Sequence, residues 1–470
     1  MKQIKSGDAY NSEVANVNWK LFYKQIWILI IPMAIQNLIN VGVTASDVLM
    51  LGRVGEKVLS GASLAGQIQF IMTLILMGIT SGASVLTAQY WGKRDKRTIE
   101  KVMGMGMMLG LILAIAFTFA AQAFPEELMR IFTNDPEVVK EGAKYLKIVS
   151  LTYVLIAITT IYLYIMRSIE RVVIATIVYS VSLVWNIIVN ALLIFGLFGL
   201  PKLGIVGAAI GTLTARIVEL VIVIWYARVK NHDVKFHFKD MWHIDKVLFK
   251  DFMVYAVPVI LNEMLWGSGT AANIAVIGHL GSAAVAANSV VQMVRQLSMV
   301  VALGVANATA IYLGKTIGEK KYELAKAYGK RLAVLSVVMG VAGAILLFLS
   351  IPFAKEIVVL SPEAEGYLGF MFFVMSYFTV CQSFNSTMVV GTFRAGGDTK
   401  FGLILDASTM WGGSILFGSI AAFIFHASVP VVYVILMCDE VIKIPITFKR
   451  FISYKWIKNV TRDAQDLEQA

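Results

Sequence analysis

Within an apolar run that begins at Ile26, the residues Gln36, Asn40, Thr44 and Asp47 recur at steps of four, four and three. On a 3.6-residue period they share one side of a helix, forming a polar stripe that ends in a carboxylate. Lipid satisfies none of these groups, so the stripe is expected to border water. A second apolar run carries Asn262, Trp266, Thr270 and Asn273 at similar spacing, with Glu263 one residue off the stripe. A charged carboxylate near the centre of a membrane helix opposes insertion by about 2.5–3.5 kcal/mol. Asp47 and Glu263 are therefore candidates to hold a proton or a sodium ion and to meet a cationic substrate. The structural alternative is that Asp47 is solvated near the membrane surface and Glu263 bonds to a neighbouring helix.

Asn186 and Asn190, at i and i+4, put two amides on one helix face, able to bond a carboxylate, to offer carbonyl oxygens to a cation, or to join two helices. Pro32 and Pro258 each stand early in a run, where the missing backbone donor permits bending and where a proline at a helix start is also common. Asp406 is a third candidate buried acid. Asp439 and Glu440 have Lys443 one turn away and are expected to form a structural salt bridge with it. Met264, Trp266, Tyr377 and Trp185 have the types that hold flat cations through cation–π and soft apolar contacts, although such side chains also serve as packing.

The elements that carry these residues are membrane helices. Of 470 residues, 58% are hydrophobic and 15% charged, and the mean hydropathy is +0.74, outside the balance of soluble domains. Apolar runs long enough to cross about 30 Å of hydrocarbon recur throughout, which predicts an all-α polytopic membrane protein of about twelve helices. The first covers 26–51, the seventh 250–277, the eighth 285–313 and the twelfth 429–448. The +11 net charge is spread over loops rather than gathered on one face, so it argues for orientation in a membrane and against nucleic acid. Basic loops follow the second, sixth and eighth runs, which places both termini in the cytoplasm of a protein in the cell inner (plasma) membrane. Cys381 and Cys438 fall inside helices and offer neither a disulfide framework nor a metal cluster. The segment TAIYLGKT ending at Thr316 lacks the first glycine of a phosphate-binding loop, and AGGDT at 395–399 lacks the first glycine of an intramembrane aspartyl protease, so an enzyme is poorly supported. No cofactor is expected.

The polar linker at 227–249 divides the chain, and its two sides are duplicates. At one constant offset, Pro32 matches Pro258, Thr44 matches Thr270, Gly52 matches Gly278, and Asp47 falls on Asn273. GASVLTAQYWGK from Gly82 lies over GVANATAIYLGK from Gly304, and Arg167 over Arg394. The expected organisation is a cytoplasmic segment at 1–25, a six-helix lobe at 26–226, the linker, a second lobe at 250–448 and a cytoplasmic tail at 449–470. An even number of helices per lobe gives both the same orientation, with a central cleft between them.

Twelve spans in two repeats, DVLMLGRVG from Asp47, GASVLTAQYWGKRD from Gly82, NIIVNALLIFGLFGLPKLGIVGAAIGT from Asn186 and GTFRAGGDTK from Gly391 together resemble the multidrug and toxic compound extrusion (MATE) family, over about residues 20–450. The resemblance implies a cation-driven antiporter that expels amphipathic, mostly cationic compounds by alternating access. It implies ion coupling at Asp47, with Asn186 beside it, and Glu263 resembles an acid of one branch. Asn190 stands where some prokaryotic members have a second aspartate, and Ser383 where a sodium-using branch has an acid. Residues and resemblance together assign ion coupling to Asp47, Asn186, Asn190, Thr44 and Glu263. Substrate binding is assigned to Gln36, Asn40, Asn262, Glu263, Met264, Trp266, Asn273 and Tyr377, and hinge bending to Pro32 and Pro258. The expected partners are small amphipathic cations and the lipid bilayer, with the protein acting as a monomer. A lipid or lipid-linked oligosaccharide flippase is the rival reading, but it would want a basic cavity where these stripes carry acids and amides.

Overall fold

A single 34-residue helix, α1 (Trp19–Gly52), carries the first polar stripe and passes through Pro32 without ending. It starts before the apolar run because Trp19, Phe22 and Tyr23 form an aromatic cluster there, in which Phe22 stacks on Tyr328 at 4.7 Å. The computed structural model describes residues 17–242, 244–357 and 361–462, so most of the expected terminal segments, 1–16 and 463–470, lies outside the described residues. The chain continues through α2 (Glu56–Lys93), α3 (Lys96–Ala123), α4 (Pro125–Arg130), α5 (Pro136–Val149), α6 (Thr152–Ser168), α7 (Val173–Phe195), α8 (Ile205–Val229) and the short α9 (Lys239–Trp242). After these come α10 (Lys246–His279), α11 (Ser282–Ser298), α12 (Val300–Gly318), α13 (Tyr322–Ile357), α14 (Pro362–Ser386), α15 (Thr399–Asp406), α16 (Leu416–Phe423), α17 (Val429–Leu436) and α18 (Asp439–Ile452).

Among the described residues, nine helices are long and apolar enough to cross a bilayer, and ten if α5 and α6, bent by 50°, count as one span. The expected seventh span lies within α10, outside that set, where Asn262, Glu263, Ser268, Thr270 and Asn273 dilute the apolar run. The expected eighth breaks at Met299 into α11 and α12. The twelfth breaks between α17 and α18 at Met437 and Cys438. Lipid-facing sides are visible directly: Val334, Val338, Val341, Ile345 and Leu349 recur at helical spacing along α13 and are all exposed.

The chain divides into two compact units. One comprises Ile35–Thr87 and Asp95–Ile260; the other comprises the chain up to Ala34, Ala88–Arg94 and Leu261–Arg462. Helices α1 and α10 therefore each belong to both units, and each changes unit two residues after its proline.

In the first unit, Leu51, Ala62, Ile194, Ile205 and Ala208 form a core joining the end of α1 to α2, α7 and α8. The polar linker is held down by charge. Arg97 grips Asp240 through two hydrogen bonds of 2.7 and 2.6 Å, Glu100 accepts from the backbone of Lys235, and Asp233 accepts from Arg171 and Lys96. Burial works to raise the pKa of Asp233, but these two cations outweigh it and hold the carboxyl below its usual range.

In the second unit, Phe372, Met375, Leu347, Val291 and Tyr433 centre a core joining α11, α13, α14 and α17. Two π-helical segments, Thr387–Phe393 after α14 and Ala407–Ile415 after α15, shift the faces of those helices. A strap of residues beyond α18 closes this unit. Gln89 donates to the carbonyls of Ala395 and Lys458 and accepts from the amide of Val460, while Trp456 is fully buried against Gly396.

Candidate ion and substrate site

The first unit brings three expected residues together. Asn190 Nδ2 donates to Asp47 Oδ1 at 2.7 Å and also lies 3.2 Å from Asn186 Oδ1. The i,i+4 spacing aims both amides at the same point, and both are buried. Asn190 Oδ1 is buried without a hydrogen-bond partner and is pressed against Gly211, where a Cβ would overlap it. Close packing of α7 on α8 thus fixes the asparagine that holds Asp47.

Charge around Asp47 is unevenly shared. Arg216 lies near enough to act on Asp47, but its guanidinium is bonded to both oxygens of Glu219, at 2.8 and 2.9 Å. Glu219 is buried. Among the described residues, the hydrogen-bond partner of Asp47 is an amide, not a cation. Arg216 and Glu219 are absent from the sequence reading. Their signal was present as an i,i+3 charge pair inside an apolar span, which lipid does not tolerate unpaired.

The remainder of the first stripe divides by depth. Gln36 is buried and donates to Val172 O at 3.1 Å and Thr176 Oγ1 at 2.8 Å, which makes it a joint between α1 and α7. Asn40 and Thr44 are exposed, and the Thr44 hydroxyl bonds back to the Asn40 carbonyl at 3.2 Å. Trp185, also exposed, donates to Thr214 at 3.3 Å.

The second unit links its candidates in one chain of contacts. Arg394 Nη2 donates to Glu263 Oε1 at 2.8 Å and to Asn262 Oδ1 at 3.0 Å. Asn262 Nδ2 donates to Asp406 Oδ2 at 2.6 Å, and Asp406 Oδ1 pairs with Lys443 at 2.9 Å. Lys443 also contacts Asp439 and Glu440, each at 3.1 Å, so the salt bridge read from spacing is formed and extends to Asp406. Arg394 directly follows one π segment and Asp406 directly precedes the other, so these irregular turns set the faces on which both project. The carboxylate of Glu263 therefore already has a counter-charge.

Several expected residues stand apart from that chain. Met264 and Trp266 are exposed, Asn273 has a buried Oδ1 without a partner, and Tyr377 packs on the core of α14. Ser383 donates to Ser336 O at 2.6 Å.

This geometry stands on a recognisable pattern. The MatE family model matches residues 32–192 and again 258–420, so the matches begin at Pro32 and Pro258, each inside a helix. The chain belongs to the MatE family. MatE proteins are transporters rather than enzymes, and this chain is accordingly a multi-pass membrane protein whose family pattern occurs twice. It is 22% identical over 395 residues to the "Probable multidrug resistance protein YoeA" of Bacillus subtilis, covering 83% of this chain and 85% of that one. It is 24% identical over 402 residues to the "Probable multidrug resistance protein NorM" of Bacillus cereus, covering 85% and 88%. The fold matches the outward-facing conformation of a multidrug resistance MATE family transporter of the MOP superfamily, with a TM-score of 0.82 at 21% identity, over 92% of this chain and 96% of that one. A MATE crystal structure in the bent conformation matches with the same TM-score and coverage at 20% identity.

Proposed function

We propose that this MatE protein is a cation-coupled antiporter that exports amphipathic, mostly cationic compounds, with Asp47 as the carrier of the coupling ion. The observation that carries the reading is the pairing around Asp47: Glu219 occupies Arg216, so Asp47 is left a partly buried carboxylate held by the Asn190 amide. A charge in that situation gains by taking up a cation. A proton satisfies it directly, and sodium would draw on the oxygens of Asp47, Asn186, Asn190 and Thr44. Either ion cancels the charge that a cationic drug would seek, and mutually exclusive occupancy yields exchange. An inside-negative potential opposes export of each positive charge by about 2.3 kcal/mol per 100 mV, so uphill export needs such an inward-moving ion. The names of the multidrug resistance relatives support the substrate class.

The same reading keeps the 26–226 and 250–448 segments as the two lobes of the transporter, with both termini in the cytoplasm of the plasma membrane and bending at Pro32 and Pro258. Exposed Asn40, Met264 and Trp266 are the side chains best placed for a bulky substrate.

The test is ethidium counterflow in proteoliposomes under an imposed proton or sodium gradient, each applied alone. Uptake driven by one of the two gradients is expected, and it falls to the level of empty liposomes in Asp47→Asn while membrane insertion is unchanged. Wild-type rates in Asp47→Asn remove the coupling site, and uptake indifferent to both gradients removes antiport.

A further inference from the structure

The duplication exposes a cation whose counterpart is missing. Arg167 and Arg394 are matched by the repeat, and in the second unit Arg394 takes a carboxylate, Glu263 at 2.8 Å, together with the Asn262 carbonyl at 3.0 Å. The offset that matches Pro32 with Pro258 puts Asn37 at the place of Glu263 and Gln36 at the place of Asn262. The first repeat therefore has the arginine without the acid.

No other acid of the first unit takes over that role. Among the described residues Arg167 forms no hydrogen bond or ion pair, and its Nε is buried without a partner. Gln36 Oε1 is likewise buried without one, so the amide that corresponds to Asn262 does not meet the guanidinium. Tyr179 lies within electrostatic reach of Arg167, Arg216 and Glu219, but Glu219 gives both its oxygens to Arg216, and Asp47 is held by Asn190. The side chains against Arg167 are aromatic: its Cζ lies 4.6 Å from the centre of the Tyr164 ring and 5.9 Å from that of Tyr179. Ring faces attract a guanidinium, yet they leave its N–H groups without an acceptor. A charge and a donor left unpaired away from water are both costly, so the site favours an anion that can accept hydrogen bonds.

The geometry also selects the kind of anion. A guanidinium is a planar fork of fixed donors, which a planar carboxylate matches through two parallel hydrogen bonds. The second repeat fills the equivalent place with that same group. The two tyrosine rings add apolar walls, which suit a carboxylate carried on an aromatic or apolar body better than a hydrated inorganic ion.

We propose that Arg167 binds the carboxylate of an amphipathic ligand between Tyr164 and Tyr179, so that compounds carrying a carboxylate, zwitterions included, are ligands of the first unit. The ligand supplies the acid that Glu263 supplies in the second. As a statement about exported substrates this rests on the antiporter reading; as a binding site it does not.

Fluorescence polarisation of the full-length protein in lipid nanodiscs tests it, using a rhodamine with a free carboxylate and its methyl ester, which differ only in that charge. Arg167→Gln should weaken binding of the free acid by about tenfold or more and leave binding of the ester within about twofold of the wild type. Asn37→Glu, which gives the first repeat the acid of the second, should likewise exclude the free acid and spare the ester, and it serves if the arginine variant does not fold. Equal effects on acid and ester in Arg167→Gln overturn the proposal, as does binding of the free acid that survives both substitutions. Chloride that raises the melting temperature of the wild type but not of Arg167→Gln, while the two dyes bind alike, assigns Arg167 to a free inorganic anion and also overturns it. Counterflow indifferent to proton and sodium gradients would instead sink the antiporter reading and leave the dye preference standing.

Discussion

Arg216 and Lys443 stand at equivalent places in the two repeats, and each holds a carboxylate one turn away on its own helix, Glu219 at 2.8 Å and Asp439 at 3.1 Å. Arg216 is taken up by that single partner, which leaves Asp47 to an amide. Lys443 is shared among three acids. The duplicated scaffold therefore carries two different electrostatic solutions, and the two halves should respond differently to substitution.

Gly211→Ala should uncouple transport without unfolding the protein. The added methyl overlaps Asn190 Oδ1, so Asn190 must move from Asp47 and Asn186. A hydrogen bond to a charged group contributes about 1.5–3 kcal/mol, so apparent affinity for the coupling ion should change by roughly tenfold or more. Dye counterflow against ion concentration measures it; an unchanged curve would mean that Asn190 does not set the ion affinity of Asp47.

Glu263→Gln and Arg394→Gln should each destabilise the second unit, because each strands a charge whose partner is nearly buried. Breaking such a pair costs on the order of 3–5 kcal/mol, whereas replacing both members with apolar residues of similar volume costs much less. Thermal unfolding in detergent compares Glu263→Gln with the double variant Glu263→Leu, Arg394→Met. Equal melting temperatures for the wild type and Glu263→Gln would show that the pair does not act as a buried ion pair.

Sequence periodicity, which acts over one or two turns, placed Asn186 and Asn190 on one face, but that they meet Asp47, 143 positions from Asn190, came from the family resemblance rather than from any local pattern. Periodicity also found the Lys443 pairing with Asp439 and Glu440. The sequence reading used Arg394 only as a landmark of the repeat: the bond from Arg394 to Glu263 joins residues 131 positions apart, and no local pattern encodes it. The π segments beside Arg394 and Asp406 were equally hidden, since a π turn reflects packing on neighbouring helices more than the propensity of its own residues. Gln36 shared the period of the stripe, but period alone does not tell a buried joint from a wet wall.

Pro32→Ala and Pro258→Ala should slow transport while leaving ion affinity intact. Each proline stands two residues before its helix passes from one compact unit to the other, and restoring a backbone donor there stiffens the helix. Counterflow rates should fall by roughly tenfold if bending limits turnover, since about 1.4 kcal/mol on a barrier is tenfold. Unaltered rates in both variants would assign the prolines to packing.

The linker makes a prediction in pH. Asp233 has a folded pKa below its usual value, so its pairing with Arg171 and Lys96 stabilises the docked linker fully above the unfolded value of about 3.9. That contribution fades as pH falls through the lower folded value. Asp233→Asn should therefore reduce protection of the 231–240 backbone from hydrogen exchange at pH 7, and the difference from wild type should vanish in strong acid. Equal protection at neutral pH would show that the ion pairs do not anchor the linker.

Gln89 lies early in the chain, yet two of its three hydrogen bonds are made by Lys458 and Val460, and the indole that covers Gly396 belongs to Trp456. While the ribosome is still translating the last helices, a buried amide at the end of α2 waits without those partners. Biogenesis of this half is thus not complete until the strap has been made, and a nascent chain stopped short of Val460 would present quality-control proteases with an unlatched bundle.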